Sequence, residues 1–216
     1  MDKYATLQYL VDKCIIAVVR ADGGGDDLVQ AVKAVADGGV HCIELTMTTP
    51  GALDCLATAA KQLKDADVLL GVGTVLDAET CRMAILAGAQ YVVTPTLSIP
   101  AIACARRYGI PIIAGAFTPT EILAAWEAGA DMVKVFPASI GGPDYLKAIK
   151  GPLPQIPLVP TGGVELDNIG AFLKAGASAV AVGGNLVSKK LLAARDFEGL
   201  TRNAKTYAEA VRAARG

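Results

Sequence analysis

Two ionisable residues stand inside otherwise apolar runs. Lys134 lies within Met132-Val133-Lys134-Val135-Phe136-Pro137, and Glu44 within Cys42-Ile43-Glu44-Leu45-Thr46-Met47. Short apolar or β-branched runs bounded by turn residues have the pattern of buried strands. An ionised group there must be paired, neutralised or used, because an unpaired buried charge is costly. Burial favours the neutral lysine amine, which is a nucleophile. Strand alternation puts Cys42, Glu44 and Thr46 on one face, and Met132, Lys134 and Phe136 on one face. With both faces in one cavity, Lys134 can form an imine with a ketone while Glu44 moves protons. The iminium then drains electrons from the adjacent C–C bond without a metal. The competing reading is a buried Lys–Glu ion pair with no chemistry.

Two glycine turns give a second signal. Pro160-Thr161-Gly162-Gly163-Val164 and Val182-Gly183-Gly184-Asn185 each close an apolar run. Glycine lets backbone N–H groups approach an oxyanion, and in (β/α)8 barrels the loops after strands 7 and 8 often hold phosphate. A plain tight turn is the alternative at each. Thr74 reads as a carboxylate ligand or a cap, and Arg20 as an anion ligand or one half of a surface salt bridge. Gly71-Val72-Gly73-Thr74 lacks the third glycine of a dinucleotide fingerprint, which argues against that fold. Gly23-Gly24-Gly25 is flanked by Asp22, Asp26 and Asp27, whose carboxylates repel phosphate, so it reads as a turn with a helix cap. His41 is assigned to capping or packing at a strand start. Trp126 and the cysteines go to core or interface, and Lys189 and Lys190 to a solvated loop.

These residues need a scaffold. Candidate strands are Cys14–Val19, Cys42–Met47, Val68–Val72, Tyr91–Thr94, Ile110–Gly115, Met132–Phe136, Leu158–Thr161 and Ala179–Gly183. Each is followed by a helical pattern, and strand–helix alternation argues for parallel strands with crossover helices. Eight units of roughly 25 residues fit a compact (β/α)8 TIM barrel. Ala87-Gly88-Ala89, Ala128-Gly129-Ala130 and Ala175-Gly176-Ala177, with Gly38-Gly39-Val40 similar, recur at intervals of 49, 41 and 47 residues. Each is a glycine C-cap leading into the next strand. The helical segment Met1–Lys13 is placed to plug the lower end of the barrel, and the last helix to run from about Asp196 to Arg212. No linker divides residues 1–216, which are read as one domain.

Composition narrows the function. A formal net charge of −1 gives no general attraction to nucleic acid or anionic membrane. No run approaches the ~18 apolar residues of a membrane span, and the start lacks a signal-peptide layout. The five scattered cysteines read as reduced thiols of a cytoplasmic protein. With one histidine, the chain offers no clustered zinc ligands. No cofactor is expected.

The chain resembles the 2-dehydro-3-deoxy-6-phosphogluconate (KDPG) aldolase family, which includes 4-hydroxy-2-oxoglutarate aldolases. The resemblance covers nearly the whole chain. It rests on Ile43-Glu44-Leu45-Thr46, Gly71-Val72-Gly73-Thr74-Val75, Val93-Thr94-Pro95, Gly115-Ala116-Phe117-Thr118-Pro119-Thr120-Glu121, Val133-Lys134-Val135-Phe136-Pro137 and Pro160-Thr161-Gly162-Gly163-Val164. It implies a homotrimer of barrels and class I aldolase chemistry, with Lys134 as the Schiff-base lysine and Glu44 as the general acid/base. Thr74 and Arg20 would hold the pyruvate carboxylate, and Pro95 and Phe136 would line the pocket. Gly162, Gly163, Gly183 and Gly184 would receive the phosphate. Many members carry Arg where this chain has Thr48, which leaves the carboxylate to Arg20, Thr74 and backbone donors. Some carry Ser in the last glycine turn. The expected reaction is reversible cleavage of a phosphorylated keto-acid to pyruvate and glyceraldehyde 3-phosphate. The C4 epimer (the galactonate series) and 4-hydroxy-2-oxoglutarate are the neighbouring substrates. A non-catalytic phospho-ligand binding barrel is the reading from a different class.

Overall fold

The structure, a computed structural model, describes residues 1–215. Helix α1 (Lys3–Lys13) leads into β1 (Ile15–Val19), α2 (Asp26–Asp37), β2 (Cys42–Thr46), α3 (Ala52–Gln62), β3 (Leu69–Gly73), α4 (Ala78–Leu86) and β4 (Tyr91–Val93). The second half continues with α5 (Ile99–Arg107), β5 (Ile112–Ala116), α6 (Pro119–Glu127), β6 (Met132–Val135), α7 (Gly142–Lys150), β7 (Leu158–Pro160), α8 (Ile169–Lys174), β8 (Val180–Val182), α9 (Lys189–Ala193) and α10 (Phe197–Arg215). The strands are parallel and ordered β7-β6-β5-β4-β3-β2-β1-β8. Parallel bridges Leu158↔Ala177 and Thr161↔Ala181 bring the two ends of the sheet together. This is the expected (β/α)8 barrel, with all eight expected strands in place.

The strand ends shift by one or two residues for local reasons. Cys14 has φ 62 and its N–H caps α1 at the Leu10 carbonyl, so β1 begins at Ile15. Ile110 donates its N–H to the Ala105 carbonyl at 3.0 Å, which draws it into the end of α5. Val68 turns on the Ala66 carbonyl, so β3 runs one residue later than expected. Lys189 and Lys190 are a correction: they open the short α9 instead of lying in a loop.

The repeated glycines do what their spacing suggests. Gly39, Gly88, Gly129 and Gly176 have φ of 92, 105, 93 and 98. In each case the next N–H reaches back over the helix end, Val40 to Val35, Ala89 to Ala84, Ala130 to Ala125 and Ala177 to Phe172. This is the Schellman stop, which a left-handed residue makes possible and glycine adopts without Cβ strain.

Alternation along the strands sorts two cores. Ile15, Ala17, Val19, Ile43, Leu45, Val72, Ile112, Val133 and Val135 pack outward among the helices. Ile16, Val18, Cys42, Leu69, Tyr91, Val93, Ile113, Met132 and Val159 fill the interior. Leu10 joins that inner cluster, with Leu7 and Val11 beside it, so α1 is the expected plug. Glu44 and Lys134 share the parity of the inner set, so both project into the barrel above this apolar floor. Among the described residues no helix is long and apolar enough to cross a membrane.

Candidate active site

A cavity of about 430 Å³ opens at the carboxyl ends of the strands. Arg20, Thr74, Pro95, Lys134, Phe136, Gly162, Gly163, Gly183 and Gly184 all line it. The sequence scatters these residues over more than 160 positions; the barrel brings them together because each lies in the last half of a strand or just after it.

Lys134 is 6% exposed, on β6 between Val133 and Val135, which pack outward. Its ammonium lies 5.1 Å from the centroid of the Phe136 ring, two residues on along the same face. No ion pair with a carboxylate involves it among the described residues. The buried Lys–Glu salt bridge weighed from sequence is therefore not how these two groups stand.

Glu44 is 1% exposed and does not line the open cavity; it lies beneath it. Its carboxyl covers Gly73 so closely that a Cβ there would come within 1.6 Å of Oε1. Glu44 Oε1 has no hydrogen-bond partner. Burial pushes its pKa above the usual carboxylate range, opposed by the nearby charges of Lys134 and Arg20. A carboxyl whose pKa is raised this way is a better proton acceptor than an exposed one. Space for it comes from glycine on β3. A Cβ on Gly71 would strike the Tyr91 ring at 2.3 Å, and one on Gly115 of β5 would strike the Pro95 carbonyl carbon at 2.3 Å.

Thr74 has φ 59, an unusual conformation for a β-branched residue and one that clusters at functional sites. It does not cap α4, because the Asp77 side chain does so by accepting from the Thr80 N–H. Arg20 is exposed and makes no ion pair among the described residues, so the surface-bridge alternative falls away. Thr48 is exposed and off the cavity wall, bonded to Thr46 at 3.1 Å between hydroxyls. Thr49 accepts from the Ala21 N–H at 3.1 Å, which ties the loop after β2 to the one bearing Arg20.

The two glycine turns differ. Gly162 and Gly163 have φ of 81 and 79, and a Cβ on Gly163 would meet Ser139 Cβ at 2.5 Å. A Cβ on Gly183 or Gly184 would meet nothing within 4 Å. The first turn is glycine for the fold; the second leaves room facing the cavity.

Sequence reasoning missed Val18, Thr161, Ala181, Asn185 and Lys189 on the cavity wall. Lys189 Nζ is held by Asp22 at 2.7 Å, both exposed. Its one available signal is its place six residues after Gly183. His41 stays outside the site, with Nδ1 at 2.5 Å from the Asp67 carbonyl oxygen at a strand start. Among the described residues no group of three His, Cys, Asp or Glu could hold a metal ion.

A buried lysine and carboxyl lie under a glycine-rimmed mouth at the carboxyl end of a (β/α)8 barrel, the end where barrel enzymes place their active sites. The family model for KDPG and KHG aldolase matches residues 8–203, and the chain belongs to that family. It is thus an aldolase, a carbon–carbon lyase. The chain is 38% identical over 178 residues to the 2-dehydro-3-deoxy-phosphogluconate aldolase of Treponema pallidum, covering 82% of this chain and 83% of that protein. It is 32% identical over 206 residues to the 2-dehydro-3-deoxy-6-phosphogalactonate aldolase of Escherichia coli, covering 95% and 100%. A solved structure of KDPG aldolase from Legionella pneumophila, with pyruvate captured as a covalent carbinolamine, superposes with a TM-score of 0.83 at 25% identity, covering 93% of this chain and 96% of that one.

Proposed function

We propose that this aldolase cleaves 2-dehydro-3-deoxy-6-phosphogluconate reversibly to pyruvate and glyceraldehyde 3-phosphate through a Schiff base on Lys134. The observation that carries the reading is Lys134 itself: a buried amine on the wall of the cavity, with no carboxylate partner. The amine adds to the C2 ketone, and loss of water gives the iminium. The Glu44 carboxylate takes the C4 hydroxyl proton, the C3–C4 bond breaks, and its electrons pass to the iminium as an enamine. The aldehyde leaves, C3 is reprotonated, and hydrolysis of the imine frees pyruvate and the amine.

Arg20 and Thr74 hold the carboxylate end, with Pro95 and Phe136 against the carbon chain. The N–H groups around Gly162, Gly163, Gly183 and Gly184 receive the phosphate, and Lys189 supplies a cation at the same end. Incubation with pyruvate and borohydride should add one reduced pyruvate, located at Lys134 by peptide mass. Labelling at another lysine, or none, would overturn the assignment. Steady-state comparison of the two phosphorylated C4 epimers with 4-hydroxy-2-oxoglutarate then ranks the substrates. A faster galactonate-series epimer would replace the substrate named here while leaving the imine intact.

The functional unit we propose is a homotrimer. Leu76, Leu86, Ile99 and Leu123 are exposed by 59, 69, 49 and 37% on the outside of the barrel, and such surface favours a partner copy. Sedimentation equilibrium should give three times the chain mass of 22.1 kDa, and a monomer at micromolar concentration would refute it.

A further inference from the structure

Among the described residues, the wall of the 430 Å³ cavity carries three cations, Arg20, Lys134 and Lys189, and no carboxylate. Two of them already have work, Lys134 as the amine and Arg20 at the carboxylate end. Lys189 is left for the phosphate, and it is the only one of the three in an ion pair. Its ammonium stands 2.7 Å from Asp22 Oδ1, in a pair whose side chains are 58% and 82% exposed. Asp22 therefore occupies the one cation that the phosphate end offers.

The two partners are not equally free. Asp22 sits between two fixed points. The Ala21 N–H before it donates to Thr49 Oγ1 at 3.1 Å, and the Gly24 backbone lies so near the Pro50 carbonyl oxygen that a Cβ there would come within 2.4 Å of it. Lys189 is fixed at its backbone, where α9 begins, and carries its charge on a flexible stem. Beside it a second cavity of about 270 Å³ separates α9 from the loop after β1, and Lys189 lines both cavities. The stem thus has room on either side. Just past the far end of α9, Arg195 Nη2 pairs with Asp27 Oδ1 at 2.7 Å, so this segment stays tied to α2 when Lys189 lets go.

We infer that Asp22 is a specificity-determining residue: it holds Lys189 as an internal anion that the substrate's phosphate must displace. The inference rests on the reading above that places the phosphate at this end of the cavity, and adds to it what competes there. A phosphate dianion offers the ammonium more charge and more acceptor oxygens than one carboxylate, so it takes Lys189 over. A substrate without phosphate has nothing at that end to draw Lys189 away from Asp22. An exposed ion pair is worth little, so the competition is mild. It sets the affinity for the phosphate without closing the site.

The test is the KM for glyceraldehyde 3-phosphate in the synthetic direction at saturating pyruvate, with unphosphorylated glyceraldehyde as the reference for each variant. Lys189→Met should raise the KM for the phosphorylated aldehyde roughly three- to tenfold, the range of a typical net hydrogen bond. Asp22→Asn should lower it about two- to fivefold, the scale of an exposed ion pair. In the Lys189→Met background Asp22→Asn should act within about 1.5-fold, because no ammonium remains to compete for. A KM that rises or stays put in Asp22→Asn would overturn the inference and make Asp22 a brace for Lys189 or a bystander. An equal gain in both backgrounds would also overturn it, leaving only the field of one surface charge. So would an equal shift for unphosphorylated glyceraldehyde, which marks general damage to the mouth. An unchanged KM in Lys189→Met beside a raised one in Gly183→Val would overturn the inference while the phosphate site stands. Unchanged values in both variants would take the phosphate reading down with it.

Discussion

Gly73 offers a way to move the Glu44 carboxyl without changing Glu44. Its backbone is ordinary strand, so Gly73→Ala carries no conformational penalty of its own. The new methyl group would stand 1.6 Å from Glu44 Oε1, 2.2 Å from Cδ and 2.7 Å from Cγ, where ordinary contact begins at 3.4 Å. The carboxyl must therefore retreat by roughly 1.8 Å, the difference between the first and last of those distances. Misplacement of a catalytic group by 1 Å can cost about 10²-fold, and the whole acid–base contribution is about 10²–10⁴-fold. The expected loss in kcat is thus about 10²-fold or more. The added methyl also overpacks the interior, at about 1–3 kcal/mol. For a chain of this size that lowers Tm by about 2–4 °C per kcal/mol, leaving a folded protein to assay. The clean assay is exchange of the pyruvate methyl protons with deuterated solvent, which needs imine formation and deprotonation but no aldehyde. Gly73→Ala should still be trapped by borohydride yet exchange about 10²-fold more slowly. Exchange at the wild-type rate, with the variant folded, would show that the position of the Glu44 carboxyl does not matter and would break the proposed proton path.

Two further outcomes follow from the same geometry. Gly183→Val puts bulk into space that nothing in the protein fills, so it should raise KM for the phosphorylated substrate by at least about tenfold, the worth of one charge-assisted contact. It should spare 4-hydroxy-2-oxoglutarate, and equal losses on both substrates would point to general damage. The pKa of Glu44 is raised on folding, so the native state binds its proton more tightly than the unfolded chain does. Its contribution to stability is present in full below the unfolded carboxylate pKa of about 4.3 and is lost as pH rises through the higher folded value. Denaturant unfolding of wild type and Glu44→Gln should therefore show wild type losing ground to the variant as pH rises from 4 to 8. A difference that is flat, or of opposite slope, contradicts the raised value.

Much of this site could be read from residue order because strand parity is a strong constraint. Glu44 and Lys134 stand out as charges in apolar runs, and the period of two decides which neighbours share their face. Gly162-Gly163 and Gly183-Gly184 are visible as turns at the last two strands. Tyr91 is not visible in this way: an aromatic in an apolar run is expected in any core, and that it stands level with Glu44 across Gly71 appears only when β2, β3 and β4 are laid side by side. Lys189 is hidden for another reason. A lysine after a glycine turn is ordinary surface until the short α9 turns it back over the cavity mouth. The missing Lys134–Glu44 bridge also lies beyond sequence, since parity gives the direction of two side chains and not the gap between them. The shifted strand ends reflect caps and turns, such as Cys14 and Ile110, that override propensity locally.

The contrast between the two glycine turns bears on how such a barrel can change over generations. At Gly162 and Gly163 backbone angle and crowding demand glycine, so drift there is opposed whatever the enzyme acts on. At Gly183 and Gly184 nothing in the protein itself opposes a side chain. A lineage that abandoned phosphorylated substrates would keep the first pair and be free to lose the second. If the phosphate sits there as proposed, substitution at 183 and 184 alone would be the mark of a descendant that has traded it for something else.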